Sequence, residues 1–588
     1  MGFETHGLIS TNLVPLLADS LTLVSWWKPF LFLLPFLAWA WAVSTVCDKH
    51  AARFYLEREM WNYIHCAAAL LAILAIIFMP SIGENGMLSW LASFVAVCLI
   101  LSMSVVAYVV VANKDERVPE AGRVSFELSK LTSFAEGTGK KKAKGKAGTS
   151  VLTFRRMDKS AVEPPATDSP EFETRLAAEG MLIKALDIRS SRIEIGPSSK
   201  DAFQIVFNVD GIKTPGDTMP AASGVKLIDF WKGVAKLDVA DRRKKQSADI
   251  TVERGSGKNK LHLETAGGQS GQKLTLLIDP EQQVRKTAEQ IGWTPEQTEI
   301  VRGWSTSRGG TVLLSAGPEG GRTTTLYTVM KMHDAYTNNV QTVELDLEDA
   351  LEGIRQNKWD AMAEGPDFAT LVRSILRRDP DIVGVADIPD PQTAKEITKA
   401  DPDKCRVYAS LPADSAVAAI QAWVRLLGDA EAAAKSVHGV MSQKLIRKLC
   451  INCKQAYQPS PDVLKKLGLP PDKVKQLFRK GGEVMVKNKP ETCPVCQGTG
   501  YLQRDGAFEV FNVDDSAREM IRSQNWAGLK TELRKAGLPS IQQAALRKAI
   551  DGVTSVEEVL RITAEQPAKA PAAANQPPKQ PQPVKPKN

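Results

Sequence analysis

Three long stretches near the amino terminus contain no Asp, Glu, Lys or Arg: residues 29–47, 60–83 and 85–113. Each can supply the roughly 20 apolar residues that a bilayer-spanning helix needs, so residues 1–113 are expected to form a three-helix membrane anchor. Lys49, Arg53 and Arg58 separate the first two stretches, and Lys114, Arg117 and Arg123 follow the third. The connection around Glu84 has no basic residue. Because Lys and Arg collect on the cytoplasmic side, the amino terminus is expected outside and residues 114 onward inside. Met1 to Val46 lacks a basic n-region and a clear small-residue cleavage site, which argues against a removed signal sequence. Pro35 is tolerable in a membrane helix.

With 588 residues the chain is too long for one core, and ~150 residues per domain gives about four units. Residues 114–170 read as a basic flexible linker that includes "GTGKKKAKGKAGTS" at 137–150 and "VEPPATDSP" at 162–170. Lys140, Lys141, Lys142, Lys144 and Lys146 show no apolar periodicity, as in a solvated tether; beside a membrane they can also contact anionic lipid. No aromatic residue interleaves with them to stack on bases, which disfavours nucleic acid. Residues 171–300 mix a helical stretch, "FETRLAAEGMLIKALDI", with alternating "RIEIG", "FQIVFNVDG" and "KLHLET", as in a small α+β domain. From 301 to 440, "TVLLSA", "VQTVEL", "DIVGVAD" and "CRVYASL" alternate with helical stretches, which predicts an α/β domain with a mostly parallel sheet. Residues 441–563 read as mainly helical around two cysteine pairs, and the Pro-rich tail 564–588 as disordered.

Four of the eight cysteines form Cys450-x-x-Cys453 and Cys493-x-x-Cys496, separated by 39 residues. In a reducing compartment such pairs point to metal, and four thiolates suit a closed, structural Zn²⁺ site with no position left for a catalytic water.

The stretch "SAGPEGGRTTTLY", 315–327, has the form of a phosphate-binding loop: glycines let the backbone wrap a phosphate, and amides at the helix start donate to it. Counted back from Thr323, the usual G-x-x-x-x-G-K-T becomes A-x-x-x-x-G-R-T, with Ala316 for the first glycine and Arg322 for lysine. Alternatively Gly317 and Pro318 open the loop, which is then one residue short. Gly317, Gly320, Gly321, Arg322, Thr323 and Thr324 are the candidate nucleotide-binding residues. Arg keeps the charge but is a planar, bulkier fork that does not replace a compact ammonium.

These residues sit among stretches that resemble one family. "TTTLY" (323–327), "TVELDLE" (342–348), "LVRSILRRDPDIVGVADIPDPQTA" (371–394), "SQKLIRKLCINC" (442–453) and "CPVCQGTGYLQRDGAFEVF" (493–511) follow the order and spacing of the secretion ATPases of type II secretion and type IV pilus assembly. The resemblance covers about 171–563. It implies a RecA-like P-loop NTPase core preceded by an α+β domain, ATP with Mg²⁺, a hexamer or an assembly with secretion or pilus components, and a station at the bacterial inner membrane.

Several of the family's chemical groups are changed here. After the Walker B-like strand the family has Gly-Glu, where this chain has Ala386 and Asp387, a carboxylate one methylene shorter. The Glu-Asp-Pro core becomes Glu344, Leu345 and Asp346, with Glu348 retained. Asp387, Glu344 and Glu348 are the candidate catalytic carboxylates. The histidine-box positions are Cys405 and Pro412, and His262 and Leu277 stand where the resemblance implies arginines. Cys405 reads as an inert strand residue. In "SRIEIGP" (191–197), Arg192 and Glu194 replace the family's Asp and His, while "FNVDG" (207–211) and "LDVADRR" (237–243) match well.

The expected function is therefore a membrane-anchored, catalytically impaired nucleotide-binding or scaffold subunit of a secretion or pilus machine. The alternatives are a divergent working ATPase and, less favoured, a membrane-tethered nucleic-acid binder.

Overall fold

The computed structural model describes residues 28–54, 56–78, 86–115, 118, 124, 151–166, 168–254, 257–307, 309–360, 365–470, 474–486, 489–535 and 538–564. The Lys-rich run at 137–150 and the tail beyond 564 lie outside the described residues. The chain forms two compact units: residues 1–280 with 450–454 and 481–502, and residues 281–449 with 455–480 and 503–588.

In the first unit the uncharged stretches form helices α1 (Phe30–Phe54), α2 (Arg58–Phe78) and α3 (Met87–Lys114), each long and apolar enough to cross a membrane. Leu37, Leu70, Leu71 and Leu99 face outward. Polar side chains turn inward and pair between helices: Trp39 Nε1 donates to Ser104 Oγ at 3.0 Å, and His50 Nδ1 lies 2.9 Å from the Tyr108 hydroxyl. At the α1–α2 connection Arg58 grips Asp48 with two nitrogens, at 2.5 and 2.8 Å.

The α+β domain is an eight-stranded antiparallel sheet. Its strands are β1 (Thr153–Arg156), β2 (Ala161–Val162), β3 (Arg192–Pro197), β4 (Ala202–Val209), β5 (Ile212–Pro220), β6 (Gln246–Arg254), β7 (Gly257–Gly268) and β8 (Gly271–Ile278), in the order β2-β1-β6-β7-β8-β3-β4-β5. Alternation along β3 and β8 sends Ile193, Ile195, Leu274 and Leu276 into one core with Leu182 of α4 (Pro170–Asp187) and Trp231 of α5 (Ala221–Val234).

The domain begins earlier than 171, because the end of the expected linker supplies β1 and β2. The cause is a buried ion pair in α4, Arg175 to Glu179 at 2.9 Å. Glu179 accepts the Val151 amide at 2.8 Å and Arg175 donates to Leu152 O at 3.0 Å, which fixes the incoming chain. The domain also ends earlier, near 280 instead of 300. Helix α6 (Pro295–Thr306) belongs to the second unit, where Val301 and Trp304 are core residues.

The second unit is built on a seven-stranded sheet. Its strands are β9 (Gly310–Ala316), β10 (Val340–Glu344), β11 (Arg355–Lys358), β12 (Ile382–Val385), β13 (Arg406–Pro412) and β14 (Val437–Leu449), completed by the later Tyr501–Asn512. The order is β11-β10-β12-β13-β9-β14 and then the Tyr501–Asn512 strand. From β11 through β14 every pairing is parallel. Alternate residues of β9 serve two cores: Leu313 packs with Trp423 and Val372 on one face, and Val312 and Leu314 with Trp304 and Tyr327 on the other. Helices therefore cover both faces, as the parallel pattern requires.

Residues 441–512 depart from the expected helical region. Β-structure fills much of this stretch: β14, a pair β15 (Gln455–Tyr457) and β16 (Leu477–Arg479), a hairpin β17 (Glu483–Val486) and β18 (Lys489–Thr492), and β19 (Tyr501–Asn512). Apart from the short Pro461–Lys466 helix, the expected helices follow from Asp515 to Thr563. The boundary set at 440 thus falls inside β14, a strand of the central sheet.

The carboxylate of Glu558, 1% exposed, pairs with Arg447 and Arg561. Burial pushes its pKa up, but the hydrogen bonds from Arg561 and Arg447 outweigh burial and hold it at about 2, against an ordinary 4.5. That contribution to stability is complete above pH ~4.5 and is lost as pH falls towards 2. Burial, with repulsion from Arg406, also depresses His333 and His438 to about 4, so the unfolded chain takes up protons between about 6.5 and 4 that the folded chain refuses. Thermal melts of the full chain should therefore show stability falling from pH 7 downward. Glu558→Gln should lower the melting temperature at pH 7 and flatten the profile below pH 4.5; an unchanged acid limb would contradict this account.

Candidate functional site

Strand β9 ends at Ala316 and helix α7 (Arg322–Met330) starts after five intervening residues, which corresponds to the A-x-x-x-x-G-R-T spacing. The connection is tight: the Gly320 amide donates to Gly317 O at 3.1 Å, and Gly321 caps the helix with φ 84°. A Cβ at Gly320 would sit 2.8 Å from Gly317 O, so no side chain fits there. The loop is further fixed by a residue that sequence reasoning did not single out. Gln443 on β14 donates to Gly320 O at 2.7 Å and accepts the Thr325 hydroxyl at 2.5 Å. Its register opposite Ala316 puts it there. The only hint in sequence was a polar residue within a buried stretch.

Arg322 and Asp387 meet, with Nη2 of the guanidinium 3.4 Å from Oδ1 of the carboxylate. Burial pushes the Asp387 carboxyl above its ordinary range, and the Arg322 charge opposes that shift. Nη1 of Arg322 is buried and has no hydrogen-bond partner among the described residues. The Thr323 hydroxyl donates to Glu348 Oε1 at 3.0 Å. Arg322, Thr323, Asp387 and Glu348 are thus brought to one loop. Thr324, in the first turn of α7, accepts the Thr328 hydroxyl through its carbonyl at 2.7 Å.

Glu344 is placed differently. Its carboxylate is 1% exposed and enclosed by donors: the Tyr327 hydroxyl at 2.5 Å, the Gln356 amide at 3.2 Å, and the Thr342 hydroxyl. Its oxygens are already engaged, whereas Glu348 stays beside Thr323.

Of the two histidine-box positions, Pro412 ends β13 opposite Ala316, and Cys405 precedes the same strand at its other end, next to the Arg406–Gly310 pairing. Burial pushes the Cys405 thiol up to about 12, which matches an inert strand residue. In the first unit His262 and Leu277 are paired across β7 and β8, and Arg192 faces Leu277 from β3. His262 Nδ1 lies 2.6 Å from Asp249, and Arg192 lies 3.7 Å from Glu194.

Also in the first unit, Cys450, Cys453, Cys493 and Cys496 are all buried, and their sulfurs lie within 4.8 Å of one another. Sulfurs about 2.3 Å from a tetrahedral Zn²⁺ stand about 3.8 Å apart; Cys450–Cys493 at 3.9 Å and Cys453–Cys496 at 3.6 Å bracket that value. Amides of Gly482 and Gly500 donate to the sulfurs of Cys453 and Cys496, each at 3.2 Å, and Asn452 Nδ2 lies 3.3 Å from that of Cys493. Such donors favour thiolates, so the residues fit a zinc ion. The module is continuous with the three apolar helices: Phe54 and Trp61, Tyr108 and Ala112, and Val495 and Leu502 share one buried cluster.

Residues 167–561 match the family model described as Type II/IV secretion system protein. The chain is 31% identical over 361 residues to the type II secretion system protein E of Pseudomonas aeruginosa, covering 61% of this chain and 70% of that one. It is 28% identical over 427 residues to the type IV pilus assembly ATPase PilB of Thermus thermophilus, covering 72% of this chain and 47% of the relative. Among solved structures it is similar to the Legionella pneumophila ATPase DotB, with a TM-score of 0.46 and 14% identity, covering 68% of this chain and 97% of that one. A matched domain over two-thirds of the chain leads to one assignment: the chain belongs to the type II/IV secretion system protein family, with a domain built on a mostly parallel sheet and an antiparallel α+β domain before it.

Proposed function

We propose that this chain is a membrane-anchored member of the family whose loop binds nucleotide weakly and hydrolyses it poorly, serving as a scaffold or regulatory subunit of a secretion or pilus machine. The observation that carries this reading is the Arg322–Asp387 pair. A loop cation held beside its own Walker B-like carboxylate is drawn away from phosphate, and the carboxylate is drawn away from water or Mg²⁺. Misplacement by ~1 Å already costs ~10²-fold in rate, and Asp387 is both one methylene short and turned to Arg322.

The contact between Thr323 and Glu348 favours the second reading, a divergent working ATPase, since it keeps a hydroxyl and a carboxylate beside the loop. Nucleotide binding and phosphate release by the detergent-solubilised full chain, with Mg²⁺ and with an Asp387→Ala control, separate the two. The expected result is weak or no binding, with phosphate release no faster than in the variant. Turnover that disappears in Asp387→Ala would establish the working ATPase instead.

The anchor reading draws support from the cluster joining the α1–α2 connection and the end of α3 to the cysteine module. It gathers these helix ends and the module on one side, in line with the basic residues flanking them. Residues 114 onward then lie in the cytoplasm at the inner membrane, with zinc as a structural ion in the module. Family membership supports assembly as a hexamer, or with secretion or pilus components.

A further inference from the structure

Arg406, the first residue of β13, is 1% exposed. Its guanidinium has one partner residue: Nη2 donates to Ser307 O at 3.2 Å and to Ser307 Oγ at 2.8 Å. Nε and Nη1 are buried and have no hydrogen-bond partner among the described residues. Two aspartates on adjoining turns are engaged elsewhere. Asp381 and Asp401 accept the amides of Arg406 and Cys405 through their carbonyls, at 2.9 and 3.0 Å. Their carboxylates accept the Asn339 amide at 2.9 Å and face Lys404 at 3.6 Å, respectively.

A guanidinium does not give up its proton, so burial cannot be relieved by neutralisation. Ser307 closes helix α6, and a helix C-terminus offers only about half a negative charge. Carbonyl, hydroxyl or water oxygens satisfy N–H groups but bring no net charge. Arg406 is therefore a buried cation that still calls for an anion.

The fold sets a place beside Nη1. Arg406 pairs with Gly310 of β9, and on the other side of β9 the pairing with β14 shifts between Val437 and Gly439. Such a bulge re-aims a side chain, here His438. Gly310 has φ 79°, and a Cβ on it would lie 3.7 Å from Arg406 Nη1 and 2.9 Å from His438 Cβ. Arg406 and His438 thus border the spot that a side chain at 310 would take. Arg406 closes it from inside, and His438 is only half-buried.

We propose that Arg406, with His438 on the outer side, holds a small inorganic monoanion such as chloride at the amino-terminal ends of β9 and β13. Enclosure by three strands suits an ion of that size. The phosphate-binding loop follows the opposite end of β9, so the site is separate from the nucleotide site and independent of the function proposed above.

The test uses the full chain in detergent. Melting temperature is followed at fixed ionic strength as sodium gluconate is exchanged for sodium chloride, for the native chain, Arg406→Leu and Arg406→Met. Apolar replacement is the exchange that a buried charge tolerates best, so either variant serves if the other fails to fold. The native chain is expected to gain on the order of 3 °C along a saturating curve, at roughly ten times the half-saturating chloride, and the variants are expected to show no saturating gain. Chloride NMR line broadening by the native chain, reversed by bromide, gives a second reading that needs no variant. A native chain with neither effect, or an equal saturating gain in the variants, would overturn the proposal.

Discussion

Stripping zinc from the full chain with a strong chelator is expected to unfold residues 481–502 while both large sheets survive. Apart from its contact with the helix ends, the module has little internal packing of its own. Its hairpin β17–β18 is two-stranded, and every residue of β18 is exposed; isolated hairpins of that kind are marginal in water. Buried apolar side chains are few, chiefly Val495 and Leu502 beside the cysteines themselves. Structural zinc contributes about 10–16 kcal/mol in small zinc-dependent peptides, far more than such a core can replace. Trypsin digestion, with cleavage followed after Lys480 and Lys487, reads the effect. Chelation or Cys493→Ser should raise cleavage there by an order of magnitude or more, while the antiparallel sheet domain digests at its native rate. A chelated chain that resists trypsin as well as the loaded one would show that packing alone holds the module.

The second large effect is expected at Glu344. Truncation by Glu344→Ala leaves the Tyr327 hydroxyl, the Thr342 hydroxyl and the Gln356 amide without their acceptor in a dry part of the core. Each stranded donor costs about 1–3 kcal/mol, so a total loss of about 3 kcal/mol or more is expected, seen as a lower urea midpoint. Glu344→Gln keeps the shape and one acceptor and should cost clearly less. If Glu344 acted in catalysis instead, Glu344→Ala would leave stability near native and abolish any turnover; unchanged stability would therefore remove the structural reading.

Elements whose own residues carry the signal were legible. The three uncharged stretches became α1 to α3, and the apolar runs at 311–316, 340–345, 381–387 and 405–411 became β9, β10, β12 and β13. Most of strand β14 falls in the stretch from 441 that reads as mainly helical. It is a strand because pairing with β9 buries most of it from both faces. Strand β11, "RQNK", has no apolar residue and owes its conformation to the parallel ladder with β10. The start of the α+β domain was hidden for a similar reason, since β1 is fixed by the Arg175–Glu179 pair of a later helix. At the site, residue types gave the loop and the four cysteines. The Arg322–Asp387 pair and the Gln443 clip join residues far apart in sequence, and only the fold brings them together.

The buried cluster shared by the anchor and the cysteine module also sets an order of events during synthesis. Trp61 and Tyr108 leave the ribosome early, and Cys493 and Val495 follow hundreds of residues later. These helices are therefore made with this surface uncovered, and residues far later in the chain supply its cover. Because domains emerging first fold first, the anchor waits longest for its last contacts. A chain truncated before Cys493 would leave this apolar face of the helices open.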